Sequence, residues 1–275
     1  MAVDPEDRCH AGRADEAFAI LAHVGPPVPS WRRAPFPAMK DIVRLREAPL
    51  RRNRQSLPVL RVRVILSNRV TTIQRIGTHV SNSADKTFLC PNRAGISMCG
   101  DASLGGRLLN GYMKDLIRSK VKGDTPINAM PQILIDGFSN SPNPPDTRLI
   151  IAGYDKADEF PVQVIKKVYL KDGTVEDIDT STQGATWDGE VNTLARLLQN
   201  VAIIRDDGSY SPLPNEGIAW NYFTLQDAVD FARFAVNVTI ETMRFKDVVE
   251  TVGGGVDLLA ITPDKTWWID KRDIS

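Results

Sequence analysis

The stretch "ADKTFLCPNRAGISMCGDAS", residues 84–103, decides how this chain folds. Two short apolar runs, "KTFLC" and "GISMCG", flank "PNRAG", whose proline and glycine suit a tight reversal. The pattern predicts a buried β-hairpin with Lys86 at the mouth of its first strand and Gly100 at the end of its return strand. A lysine at a strand edge and a glycine before a helix are ordinary surface features. Read from this hairpin alone, Lys86 is such a strand-edge lysine and Gly100 such a turn glycine.

Outward from this hairpin the patterning stays regular. Upstream, "VRVILSN" is a strand rich in β-branched residues. Downstream, "ASLGGRLLNGYMKDLIRS" is predicted helical, with Leu104, Leu108, Tyr112 and Leu116 at i, i+4 spacing. In "TPINAMPQILIDGF", Thr125 is placed as N-cap and Pro126 at the first helical position, with Pro131 set to kink the helix. "RLIIAGYD" and "FPVQVIKKVYLKDG" are strands, and the turn Lys171-Asp172-Gly173 leads into a third, "TVEDIDTS". "DGEVNTLARLLQ" is a helix. "TLQDAVDFARFAVNVTIETMRF" is the clearest one: Thr224 and Asp227 form a capping box ahead of an apolar stripe from Leu225 to Met243. "GVDLLAITP" and "TWWIDK" close the chain as a hairpin, where one residue of the pair Trp267-Trp268 faces outward and needs cover, from a subunit contact or from packing under the C-terminal segment. Strands, two helices, strands, two helices and strands make an α+β chain. Two antiparallel sheets packed face to face with a helix pair outside each satisfy every apolar face, and a single mixed sheet is the alternative.

The bulk numbers exclude several classes. The chain has 275 residues, 42% hydrophobic, with lysine plus arginine equal to aspartate plus glutamate at 34 each. No overall field favours nucleic acid or an acidic membrane. Three cysteines (Cys9, Cys90 and Cys99) fit a reducing compartment better than a disulfide framework. The histidines His10, His23 and His79 have no ligand-like spacing, and no apolar run approaches a membrane span. "AFAILAHVG" is too short for a signal peptide and sits behind an acidic start.

Residues 1–63 differ from the remainder, 64–275, which reads as one domain. The first part holds eight of the 18 prolines and a single lysine, Lys40. Between Arg44 and Arg63 seven arginines face one carboxylate, Glu47. Such a segment is a basic arm for nucleic acid, a disordered extension, or text translated from the wrong frame of a GC-rich gene.

Five motifs in order carry a family resemblance over about Val64 to Asp270. "SNRVTT", "DKTFLC", "GISMCGDAS", "GTVEDIDTSTQGAT" and "VGGGVDLLAITPD" resemble successive elements of the proteasome-type N-terminal nucleophile (Ntn) hydrolases. The resemblance implies the four-layer αββα sandwich. It implies a nucleophile that is the side chain of a processed N-terminal threonine, with Lys86 beside it favouring the activated state by charge proximity. Gly100 matches the glycine whose backbone N–H donates to the developing oxyanion. Arg69 matches the family's arginine, and Thr186 its serine near the terminal amine.

The match departs from the family at several positions. Ser67 stands where the family has a carboxylate. The family's aspartate and serine ahead of Gly253-Gly254 fall near Val249 and Val252, with Glu250 and Thr251 one residue off. No threonine sits one hairpin ahead of the lysine strand; that spacing points to Ser56, which lacks a preceding glycine and is followed by Pro58. Cleavage at Gly77-Thr78, or before Thr71 or Thr72, would remove the first strand. Asp188, Asp247 and Asp257 are further carboxylates, expected as caps or turn residues.

The resemblance therefore implies a cytoplasmic threonine-type amide hydrolase acting on peptides or proteins, in a homo-oligomer that is a ring or smaller, with no cofactor and no metal. As written, the chain lacks the nucleophile for that chemistry. The true N-terminus is then misread, or the chain is a non-catalytic structural subunit of such a ring. A nucleic-acid-associated protein using the arginine-rich arm is a third expectation, weakened by the arm's few aromatics, Trp31 and Phe36.

Overall fold

The computed structural model describes residues 19–24, 62–68, 71–73, 78–81, 84–139, 141, 143–157, 161–246 and 251–271, with side chains from residue 84 onward. The elements in chain order are β1 (Ala19–Val24), β2 (Val62–Asn68), β3 (Thr71–Ile73), β4 (Thr78–Ser81), β5 (Thr87–Leu89) and β6 (Gly95–Gly100). A small hairpin of β7 (Ser103–Leu104) and β8 (Arg107–Leu108) precedes helices α1 (Leu109–Lys120) and α2 (Met130–Ser139). Strands β9 (Thr147–Asp155), β10 (Val162–Tyr169), β11 (Thr174–Asp177) and β12 (Gly184–Asp188) follow. Helix α3 (Asn192–Leu198), hairpin strands β13 (Ala202–Ile204) and β14 (Tyr210–Pro212), helix α4 (Leu225–Met243), β15 (Val256–Ile261) and β16 (Thr266–Asp270) complete the chain. The protein is thus mixed α and β, with antiparallel sheets and four α-helices among the described residues. None of those helices is long and apolar enough to cross a membrane.

Two five-stranded sheets dominate, ordered β12-β1-β2-β15-β16 and β11-β10-β9-β6-β5. Alternation along the strands sends each sheet's two faces to different apolar clusters. Ile96, Met98, Leu149 and Ile151 of the second sheet pack against Leu109, Met113, Leu134 and Phe138 of α1 and α2. Leu258 of the first sheet packs with Ala232, Val236 and Met243 of α4 and Leu194 of α3, with Ala185 and Trp187 against them. The intervening residues point the other way: Ile150, Ala152 and Ile165 of the second sheet meet Leu259 and Ile261 of the first. Burial of each such Leu or Ile contributes about 1.5–3 kcal/mol.

Several local expectations shift. Ala19–Val24 lies inside the stretch read as an extension, yet it pairs with β2 and β12 in the first sheet. Most of the arginine-rich segment Arg44–Arg63, and Ser56 with it, lies outside the described residues. Leu104 is not helical: Gly105 and Gly106 take positive φ of 57° and 81° and turn β7 into β8, so α1 begins only at Leu109. Thr125 does not cap α2. Its hydroxyl accepts from the Lys122 N–H at 2.8 Å, and Ile127–Ala129 form a 3₁₀ turn ahead of Met130. The Asp155 carboxylate, from the end of β9, caps that turn instead, accepting from the backbone N–H groups of Ile127 at 2.5 Å and Asn128 at 3.1 Å. The Thr224–Asp227 capping box forms as the sequence predicts. Trp267 and Trp268 are both half-buried. Lys265 covers one ring and Lys271 the other, each at 4.5 Å, while Trp268 packs on the inter-sheet cluster.

Because a helix N-terminus carries unsatisfied donors and positive partial charge, Asp155→Ala is expected to cost about 1–2 kcal/mol. Urea unfolding checks this: the midpoint falls with an unchanged slope, and Thr125→Ala has a smaller effect.

Candidate functional site

The two sheets are aligned end to end by two independent contacts. At one end the β5–β6 turn meets the β15–β16 turn, where Arg93 donates to the Asp264 carbonyl at 2.5 Å and Thr266 donates back to the Arg93 carbonyl at 2.8 Å. At the other end the Arg148 guanidinium of β9 donates to Asp188 of β12 at 2.5 Å. Arg148 is the cross-strand partner of Cys99, and Thr147 that of Gly100. Gly100 therefore lies at the Asp188 end. Lys86 lies there too, because its carbonyl accepts from the Met98 N–H at 2.9 Å, two residues before Gly100.

Across the first sheet, the same end is one row of strand partners. Asp188 is opposite Ala19, Ala19 opposite Ser67, and Ser67 opposite Asp257. Asp257 is fully buried and, alternating with Leu258, lies on the same side as Leu259, toward the second sheet. Asp188 faces the same way. Its carboxylate meets Arg148, lies 3.8 Å from the Lys167 ammonium, and accepts from the Gly189 N–H at 2.8 Å. Lys167 also donates to the Trp187 carbonyl at 3.1 Å. Both aspartates were expected as caps or turn residues. Asp188 does cap its turn, but both are strand-end carboxylates set between the sheets, which no local spacing reveals.

The residues picked from the sequence divide as follows. Lys86 is 3% exposed, so it is not a surface lysine, and its neighbour Asp85 forms an ion pair with Lys114. Gly100 has a φ of 110°, and a Cβ there would overlap the Asp146 carbonyl oxygen and lie 2.8 Å from Thr147 Cα. Glycine is thus demanded by the close approach of the backbone, independently of any catalytic duty. Asp101 then locks β6 to β9: its carboxylate accepts from the Asp146 N–H at 2.7 Å, and Thr147 donates to its carbonyl at 3.3 Å. Thr186 is half-buried in β12 opposite Leu21, on the same face as Asp188 and two residues farther from this end. Arg69, Asp247, Val249 and Glu250 lie outside the described residues, as Ser56 does. Thr71 and Thr72 belong to β3 and Thr78 to β4, a two-stranded hairpin separate from both large sheets. Thr251 is 5% exposed, and its hydroxyl has no hydrogen-bond partner among the described residues; Val252 packs in the α4 cluster.

Among the described residues the chemistry available is that of charge placement, with no evident nucleophile. Burial pushes the Cys90 thiol up to about 12, so its thiolate is absent at neutral pH. Burial, and then the negative charges of Asp188 and Glu176, raise the Tyr169 phenol above its ordinary value, and its hydroxyl lies 3.2 Å from Glu176. Neither group is a base or nucleophile at neutral pH. No Ser, Thr or Cys stands between Cys9 and Ser30, so β1 has no such residue at its start. No group of three or more potential metal ligands occurs among the described residues. The chain matches no known family model, and no curated protein matches it.

Replacing Arg148 by methionine leaves the buried Asp188 carboxylate with the Gly189 N–H and the more distant Lys167 ammonium, and is expected to cost about 2–3 kcal/mol. The double variant Arg148→Met/Asp188→Asn is expected to cost less than the sum of its parts, as chemical denaturation of the four proteins of the cycle measures. Native Cys90 is expected to resist iodoacetamide at pH 8 and to react on unfolding, read by peptide mass mapping. Its raised value also has a sign. The unfolded thiol releases its proton near pH 9 and the folded one near 12, so stability falls as pH climbs through that window.

Proposed function

We propose that this chain has the αββα sandwich of the proteasome-type Ntn hydrolases, and that as its sequence stands it is a non-catalytic member of that fold. The observation that carries the proposal is the gathering of Lys86, Gly100, Asp188 and Asp257 at one end of two packed sheets, on either side of the start of β1. The three apolar clusters (helices on sheet, sheet on sheet, sheet on helices) support the order of the layers.

Amide hydrolysis in such a site needs a hydroxyl or thiol where the first strand begins, a positive group to favour its activated form, and a donor for the oxyanion. The buried Lys86 suits the second task and the strand-end Gly100 the third. The first falls on the start of β1, where Ala19 lies in one row with Asp188, Ser67 and Asp257. An alanine cannot attack a carbonyl. Peptide recognition, a homo-oligomeric ring and a cytoplasmic setting belong to the same proposal. Within it, the chain shapes or gates an assembly without cleaving.

The test is intact mass and N-terminal sequencing of the protein from its native host, joined to an assay with fluorogenic peptide amides. The expected outcome is a mature chain that keeps Ala19 internal and hydrolyses none of the amides above background. A mature chain beginning with Thr, Ser or Cys that cleaves these amides, and loses at least 100-fold in kcat/KM on Lys86→Met, would overturn the non-catalytic assignment.

A further inference from the structure

A second concave surface lies along β5, on the side away from β6. It is a cleft of about 300 Å³ that begins at Asp85 and runs toward Pro91 in the β5–β6 turn. Its apolar floor comes from Leu89, Pro91, Ile117 and Trp268. Leu89 is 41% exposed, the one outward-facing residue of β5 left open to solvent. The rim is cationic: Lys114 and Arg118 project from α1, and Lys271 follows β16.

The charges are arranged unequally. Lys114 is engaged by Asp85, the single carboxylate of the lining. Among the described residues Arg118 has only Asp115, at 3.8 Å, and both side chains are more than 80% exposed, where an ion pair contributes little. Lys271 sits 4.5 Å over the Trp268 ring, which fixes its ammonium at the lip of the cleft. Two cations thus flank an apolar floor with one neutralised lysine between sheet and helix. In a chain of zero net charge this is local complementarity to an anion, and it does not follow from the overall composition.

We propose that this cleft docks an acidic peptide segment of a partner protein, one apolar side chain entering against Leu89, Ile117 and Trp268 while flanking Asp or Glu carboxylates meet Arg118 and Lys271. A peptide fits better than a small anion because the apolar floor and the two cations must be satisfied together. It fits better than nucleic acid because the described lining offers one aromatic side chain beside Phe88, which is 5% exposed and unavailable for stacking. The inference concerns a face outside the Gly100–Asp188 cluster, so it stands or falls separately from the absence of hydrolysis.

The test uses the full chain and three fluorescein-labelled probes read by anisotropy. These are an amidated peptide alternating Asp or Glu with Leu and Phe, the same peptide with Lys for each acid, and a single-stranded oligonucleotide of equal length. The acidic peptide is expected to bind in the micromolar range and to weaken at least tenfold in Arg118→Glu/Lys271→Glu. Lys120→Glu, a charge reversal on the same helix outside the cleft lining, is expected to leave binding within twofold. Leu89→Ser is expected to weaken the acidic peptide several-fold, which a purely ionic surface would not show. Equal binding of the acidic and basic peptides, unchanged affinity in the double variant, or tighter oligonucleotide binding that the double variant abolishes would each overturn the proposal. Circular dichroism of each variant separates loss of binding from loss of fold.

Discussion

The Arg148–Asp188 ion pair joins the end of β9 to the end of β12 across the space between the two sheets. It is a contact that ties the two sheets together at that end. Asp188 is 6% exposed at its side chain, so its charge must be met inside the protein, and a guanidinium is suited to do so because it stays protonated and is less tightly hydrated than an ammonium. The pair is not a large source of net stability, since removing both charges from water offsets most of their attraction. Its consequence is positional: it fixes which ends of the two sheets face each other. The apolar residues between the sheets, Ile150, Ala152, Ile165, Leu259 and Ile261, supply burial energy but little register.

A second constraint is the close approach of β6 and β9 beside that ion pair. Gly100 permits a backbone geometry that no side chain could enter, and Asp101 then ties the strand ends together on the far side. The glycine that a catalytic site would want is thus already required by the fold. Buried Lys86 is the opposite case. Packing alone gives no reason to place an ammonium at 3% exposure, so polar or charged partners must hold it there.

The amide hydrolysis weighed above would need a hydroxyl or thiol whose proton can leave. Cys90 is pushed the wrong way by burial, and the start of β1 offers alanine. The cationic cleft along β5 is a separate surface, where Arg118 and Lys271 lie beside an apolar floor.

Local spacing in the chain encodes those elements whose partners lie close together. The 84–103 hairpin, the Thr224–Asp227 capping box and the β15–β16 hairpin were legible, because period-two alternation, helical stripes, caps and turns act over a few residues. Other features rest on partners far apart in the chain. Strand β1 entered the first sheet from an arginine- and proline-rich region whose composition hid it, with Ala19 paired to Ser67 on one side and Asp188 on the other. Strand β12 carries no signal of its own, because "GATWD" is too short and too mixed to show alternation. Asp155 replaced Thr125 as the cap of a turn 28 residues away. Asp188 and Asp257 became inter-sheet carboxylates only through cross-strand register. In each case the deciding free energy comes from contacts between distant segments, and no short window of sequence contains both partners.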